Sequence, residues 1–310
     1  MKGTLFLKLL AYSGRHFSYY HLSKRKEGKE EEEMTKSEIQ KQIFHAVDIV
    51  KRTNPLIGSI TNMVTINFVA NTQLAVGGSA AMVYLPEEGE ILAKAGQAMY
   101  INVGTLLPIH EQALPYVAKV LHDTGKPWVL DPVAVGIGSM RTQLLKQFKE
   151  YKPDVIRGNA SEIIALAGLW ELDGGTATSK VRGVDSTDSI IAAKTAAVSL
   201  AKWTGGAVAV SGEIDLITNG NVVAYSYGGS HFMPKITGAG CSLGGVIAVY
   251  ASAASPFIAA LTGTAVYNLA GTRAEKKVDG PGSFQIQFLD ELYKASGEDI
   301  ANNPFEIEEV

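Results

Sequence analysis

The chain has 310 residues, 46% hydrophobic and 19% charged, a balance that excludes a disordered polymer and supplies a core for one large α/β domain or two small ones. Its formal net charge of −3 offers no electrostatic footprint for nucleic acid. A single cysteine, Cys241, excludes an intrachain disulfide framework and a cysteine-rich zinc site, in keeping with a reducing, cytoplasmic compartment.

Residues 1–33 stand apart. Met1 to Lys26 carries lysine, arginine and histidine without an acid, and EGKEEEE (27–33) then reverses the charge. A basic, acid-free start is transit-peptide-like but poor in serine and arginine, and LFLKLLAY is too short and interrupted to span a membrane. We read 1–33 as a disordered, dispensable extension and 34–310 as a single domain. Translation from Met34 is an alternative, because Thr35 and Glu38 then open a helix with the spacing of a capping box.

From Thr35 onward, helix and strand patterns alternate. Ile39, Ile43, Phe44, Val47 and Val50 recur at helical spacing until Asn54-Pro55 stops them. LIGSI (56–60) is a short buried strand, VTINFVANTQLAVGG (64–78) a helix closed by glycine, and AAMVYL (80–85) a further strand. Pro86-Glu87-Glu88 starts a helix with acids in its first turn. AMYINVG (98–104), PWVLDPV (127–133), DVIRGN (154–159) and GAVAVSG (206–212) are apolar strands ending in polar or glycine residues, with helices such as 110–125 and 189–206 between them. Near-continuous apolar strands alternating with helices predict an α/β fold, a mostly parallel sheet covered on both faces. Asn219-Gly220 predicts a hairpin. The apolar runs after Cys241, broken at Ser255-Pro256, read as core helices.

Ligands in such sheets bind beyond the carboxyl ends of the strands. Parallel strands bring Thr61-Asn62, Asn102, Asp131, Arg157-Gly158-Asn159 and Ser211-Gly212-Glu213 to one edge. ITGAGCSLGG (236–245) joins them as a glycine turn opening an apolar helix, with backbone N–H groups free for an anion. Cys241 falls at that helix N-terminus, where the dipole favours a thiolate. Asp131 and Glu162 suit Mg²⁺, which takes few protein ligands and completes its shell with water and phosphate oxygens. Arg157 has the forked donors for a phosphate. The set points to phosphoryl transfer from a nucleotide to a small hydroxyl. A Walker GxxxxGK[ST], a protein-kinase glycine loop with VAIK and an early GxGxxG are all absent.

ITNMVTINFVAN (60–71), GGSAAM (77–82), DPVAVG (131–136), IRGNASEI (156–163), SGEID (211–215) and TGAGC (237–241) together resemble the hydroxyethylthiazole kinases of the ribokinase-like superfamily, over roughly residues 40–297. The resemblance implies a ribokinase-like three-layer sandwich, ATP with Mg²⁺, and 4-methyl-5-(2-hydroxyethyl)thiazole as acceptor in thiamine salvage. It also implies a homotrimer with sites at subunit interfaces. By matching position, Met82 and Gly238 contact the thiazole side with Asn62 close by. Arg157 and Ser211 serve ATP, Asp131 and Glu162 the metal region, and Cys241 stands beside the substrate hydroxyl.

This chain departs from the family pattern at three places: Ser211 where threonine is common, Ala80-Ala81 for serine-proline, and Gly58-Ser59 for histidine-cysteine. Ribokinase-like sugar and vitamin kinases generally carry an aspartate base after the GAG turn; here a cysteine stands instead, expected to have its pKa lowered by the helix N-terminus. The alternatives are a ribokinase-like kinase of another alcohol such as a hydroxymethylpyrimidine or sugar, a dehydratase of damaged nicotinamide cofactors, and a non-catalytic nucleotide-binding module.

Overall fold

The computed structural model describes residues 35–176 and 190–310, so the extension read into residues 1–33 lies outside it. The capping box at Thr35 forms: Glu38 N–H donates to Thr35 Oγ1 at 3.3 Å and Thr35 N–H to Glu38 Oε2 at 2.9 Å. The helix so opened, α1 (Lys36–Thr53), buries one stripe of Ile39, Ile43, Ala46, Val47 and Val50 and ends at Asn54 in the left-handed region.

The chain continues as β1 (Leu56–Ile60), α2 (Ile66–Ala75), β2 (Ser79–Met82), α3 (Pro86–Ala95), β3 (Ala98–Asn102), α4 (His110–Thr124), β4 (Trp128–Asp131), α5 (Ser139–Tyr151), β5 (Val155–Asn159) and α6 (Ala160–Leu169). After the undescribed segment come α7 (Ile190–Thr204), β6 (Ala207–Ser211), β7 (Asp215–Thr218), β8 (Val222–Ser226), α8 (Ala239–Ala251), α9 (Pro256–Glu275), α10 (Pro281–Lys294), α11 (Gly297–Ala301) and β9 (Phe305–Glu309). The strand expected over 80–85 is shorter and ends at Met82, because Pro86 already sets the next helix.

All nine strands lie in one sheet, ordered β2-β1-β3-β4-β5-β6-β7-β8-β9. The first six run parallel, and β7, β8 and β9 add antiparallel to the far edge. Asn219-Gly220 makes the expected hairpin between β7 and β8, whereas β9, from the acidic FEIEE segment, has no counterpart in the sequence reading. Helices α3 to α7 cover one face, and α1, α2, α8 and α9 the other, giving three layers. Among the described residues no helix is long and apolar enough to cross a membrane.

The two-residue period of the strands then sorts side chains between faces. Met99, Ile101, Leu130 and Ile156 enter the core under α3 to α7. Tyr100, Asn102, Asp131 and Arg157 alternate with them and lie on the face that carries α8. The order β2-β1-β3 means that the chain leaves β1 to one side and returns on the other, the switch point at which such sheets open a crevice.

Candidate active site

Asn62 and Asn102 flank that switch point, just after β1 and at the end of β3, and both are buried. Asn62 Nδ2 donates to Asn102 Oδ1 at 3.0 Å and stands 3.5 Å from Cys241 Sγ. The register places Asn102 beside Asp131, and Leu130 beside Ile156, one residue short of Asp131 and Arg157. Arg157 Nη1 lies 3.5 Å from Asp131 Oδ2, and its Nη2 donates to Ser211 Oγ at 2.9 Å. Arg157 Nε has no partner, so the guanidinium keeps a donor in reserve. Asp131 Oδ1 is likewise wholly buried and without a partner.

Glu162 has a different setting. Asn159 caps α6 in a box with Glu162: Glu162 N–H donates to Asn159 Oδ1 and Asn159 N–H to Glu162 Oε2, both at 2.9 Å. The other oxygen, Oε1, accepts Ala134 N–H at 3.1 Å and so pins the loop after β4, where Ala134 has a φ of 60°. Glu162 thus braces two loops of the site through both its oxygens.

Burial pushes the Asp131 carboxyl above its ordinary range, opposed by Arg157 and by the hydroxyl of Tyr100. Glu162 is raised by burial and by the Asp131 charge. Burial works against the charge of Arg157, but Asp131 and Glu162 outweigh it and hold the guanidinium protonated. One buried cation thus balances the charge of two buried carboxylates, and losing any of the three would leave charge uncompensated.

The glycine turn opens α8 as expected. Gly238 is the N-cap, with φ +92°, and a Cβ on it would stand 2.9 Å from Thr65 Cγ2, so conformation and space both require glycine. Cys241 follows in the first turn and is half-buried. Its thiol departs from expectation: burial pushes it up to about 11, the Asp131 charge adds to this, and Arg157 only partly offsets them. Desolvation and a neighbouring carboxylate outweigh the helix dipole, which is worth only ~0.3–1 kcal/mol at a typical terminus.

Met82 ends β2 opposite Ser59 of β1 and is half-buried, two strands from Asn102 at the same sheet edge. Beside the turn, Val64, Phe68, Lys235, Ile236 and Thr237 contribute to an open cavity of about 410 Å³. The sequence reading left out Tyr100, which donates to Asp131 Oδ2 at 3.0 Å. It sits in an apolar strand and reads as core; its place two residues before Asn102, on the same strand face, was the available signal.

The fit to a divalent cation can be judged from these groups. No cluster of three His, Cys, Asp or Glu side chains placed to hold an ion occurs among the described residues. Mg²⁺ does not need one, since it binds through one or two carboxylates plus phosphate oxygens. The bare Asp131 Oδ1 is a hard oxygen donor of the right kind, and Glu162 is close enough for the Asp131 charge to raise it.

Sheet topology and site together place the molecule among the ribokinase-like kinases. Its fold is shared with the solved hydroxyethylthiazole kinase of Pyrococcus horikoshii, at a TM-score of 0.76 and 28% identity over 87% of this chain and 99% of that one. The pyridoxal kinase of Staphylococcus aureus, solved with ADP, shares the fold at a TM-score of 0.53 and 16% identity, over 83% of this chain and 99% of that one. The family model described as the hydroxyethylthiazole kinase family matches residues 47–298. The hydroxyethylthiazole kinase of Bifidobacterium animalis subsp. lactis is 48% identical over 276 residues, covering 86% of this chain and 91% of that protein. That of Leptospira borgpetersenii is 44% identical over 257 residues, covering 83% and 94%. The chain belongs to the hydroxyethylthiazole kinase family.

Proposed function

We propose that the protein transfers the γ-phosphoryl group of ATP to the hydroxyl of 4-methyl-5-(2-hydroxyethyl)thiazole, a step of thiamine salvage. The observation that carries this reading is the seating of the Gly238–Cys241 turn against Arg157. The N-terminus of α8, a buried guanidinium and the Cys241 sulfur thereby share one sheet edge. Arg157 Nε and Ser211 Oγ–H hold phosphate oxygens, and the first N–H groups of α8 face the charge that develops on the transferring group. Asp131, with Glu162 nearby, would hold Mg²⁺, which would supply positive charge to offset that of the phosphates.

The acceptor lies on the Asn62 side, with Gly238 and Met82 around its ring and Val64 and Phe68 as apolar walls. Cys241 stands beside its hydroxyl. Because the thiol is protonated at neutral pH, its part is to orient the hydroxyl, and the alcohol proton leaves late, with the oxygens of the transferred group. Positioning and backbone electrostatics supply most of the rate in such a reaction. The assembly in this reading is the homotrimer, with sites between subunits, that the family resemblance implies. The lone cysteine supports a cytoplasmic setting.

The test is ADP release by the pure protein with ATP and Mg²⁺ against a panel of thiazole, pyrimidine and sugar alcohols. Thiazole-dependent ADP formation is expected; turnover confined to another alcohol would move the assignment to that substrate.

A further inference from the structure

A run of buried polar side chains crosses the sheet beneath α8, and the reaction above uses only its ends. Tyr100, wholly buried in β3, donates its hydroxyl hydrogen to Asp131 Oδ2 at 3.0 Å and accepts from Asn102 Nδ2 at 2.9 Å. Asn102 Oδ1 accepts Gly104 N–H at 2.9 Å and Asn62 Nδ2 at 3.0 Å. Asn62 Oδ1 accepts Thr65 N–H at 3.2 Å, which turns its amide nitrogen towards Asn102 and Cys241.

Two backbone N–H groups, which can only donate, therefore fix which way both amides point. Asn102 must present N–H to the phenol, and the phenol has one direction left for its own hydrogen: the carboxylate. The close approach is built in. A Cβ at Gly244 of α8 would stand 2.5 Å from Tyr100 Cε2, so the helix holds the ring against the sheet only because residue 244 has no side chain.

The outcome is an asymmetric carboxylate. Asp131 Oδ2 has the phenol at 3.0 Å and Arg157 Nη1 at 3.5 Å, whereas Oδ1 has no partner. We infer that Tyr100 is a positioning residue for Asp131: it ties down Oδ2 so that Oδ1 is presented to the divalent cation carried by the nucleotide, and through Asn102 and Asn62 it holds that carboxylate in register with Cys241. The inference rests on the reading of Asp131 as a metal-side carboxylate.

Tyr100→Phe removes the hydroxyl and keeps the ring under α8. The probe is Mn²⁺ bound in the presence of ADP, followed by electron paramagnetic resonance, alongside the Mg²⁺ dependence of kcat at saturating ATP and thiazole alcohol. The Mn²⁺ affinity is expected to fall about tenfold, the order lost with one hydrogen bond to a charged group, and the half-saturating Mg²⁺ concentration to rise with it. KM for the thiazole should stay within about twofold, since the phenol reaches that side only through two amides. A folded variant with unchanged Mn²⁺ affinity and Mg²⁺ dependence would overturn the inference. Should Tyr100→Phe fail to fold, Asn102→Ser removes the group that directs the phenol; a smaller shift in the same direction supports the inference, and no shift overturns it. Asp131→Asn separates the two readings: full Mn²⁺ affinity there removes the metal reading itself, whereas loss there with none in Tyr100→Phe removes only the role of the tyrosine.

Discussion

The guanidinium of Arg157 lies against the backbone of Gly240: a Cβ at residue 240 would stand 2.8 Å from Nη1 and 2.9 Å from Nη2. Both nitrogens are committed, one beside Asp131 and the other to Ser211, so the arginine cannot step aside without leaving a partner. Gly240→Ala is expected to fold, because residue 240 is in the first turn of α8 with no unusual backbone angle. KM for ATP should rise about tenfold, the lower end of what a charge-assisted bond of ~1.5–3 kcal/mol contributes, with KM for the thiazole little changed. Steady-state kinetics with each substrate varied decides it; an unchanged KM for ATP would show that Arg157 relaxes at no cost.

Arg157→Ala should raise KM for ATP at least as much and should also lower the melting temperature. Asp131 and Glu162 are both buried and both lean on this cation, so its removal leaves charge uncompensated in the core. Arg157→Lys should recover part of the lost Tm but not the nucleotide affinity, because an ammonium lacks the fork that spans Asp131 and Ser211. Calorimetry and kinetics on both variants test the pair of effects.

With its pKa pushed up to about 11, the Cys241 thiol ionises only well above neutrality. Its alkylation by iodoacetamide should therefore still be rising at pH 9, and kcat should show no thiol-linked step between pH 6 and 9. Cys241→Ser, which exchanges one neutral group for another, should keep both binding steps and lower kcat by about tenfold or less. Cys241→Asp, the residue usual after this turn in related sugar and vitamin kinases, should be tolerated. Single-turnover transfer across pH is the measurement, with Cys241→Ala beside the serine and aspartate variants; alanine matching wild type at every pH would make Cys241 a packing residue.

Asp154 lies at the other end of the sheet, just before β5, and accepts Trp128 N–H on Oδ2 at 2.9 Å. Burial nevertheless raises it from 3.8 to about 6. A group raised on folding stabilises fully below its unfolded pKa, and that contribution is lost as the pH rises through the folded value, here between about 4 and 6. Asp154→Asn keeps an acceptor without the charge. It should be more stable than wild type at pH 8, by on the order of 1–2 kcal/mol, and gain nothing at pH 4. Calorimetric Tm values at the two pH extremes check the sign.

We propose that residues 1–33 are dispensable for the kinase domain. At the start of α1 the N–H groups of Thr35 and Glu38 are satisfied within the capping box, without help from an earlier residue. A chain begun at Met34 should keep its Tm within about 2 °C and its kinetic constants, a shift small against the ~2–4 °C that 1 kcal/mol moves a domain of this size. A larger drop would show that the extension contributes stability.

Local pattern was enough to read the alternation of helix and strand, the parallel sheet, the Asn219-Gly220 hairpin and the glycine turn before α8. Each is written in a period of two or 3.6, or in residues that suit few backbone conformations. A parallel sheet in turn forces strand-end residues to one edge, which is why the strand pattern alone groups Asn62, Asn102, Asp131, Arg157 and Ser211. Only the tertiary structure decided what those residues do to one another. That Glu162 braces two loops, that Tyr100 orients Asp131 and that Arg157 rests on Gly240 depend on strands and helices distant in sequence meeting at a few ångströms. The Cys241 thiol shows the reason most clearly. Its helix N-terminus is visible in the sequence and pulls its pKa down, but desolvation and the charge of Asp131 are properties of the packed site, and they win.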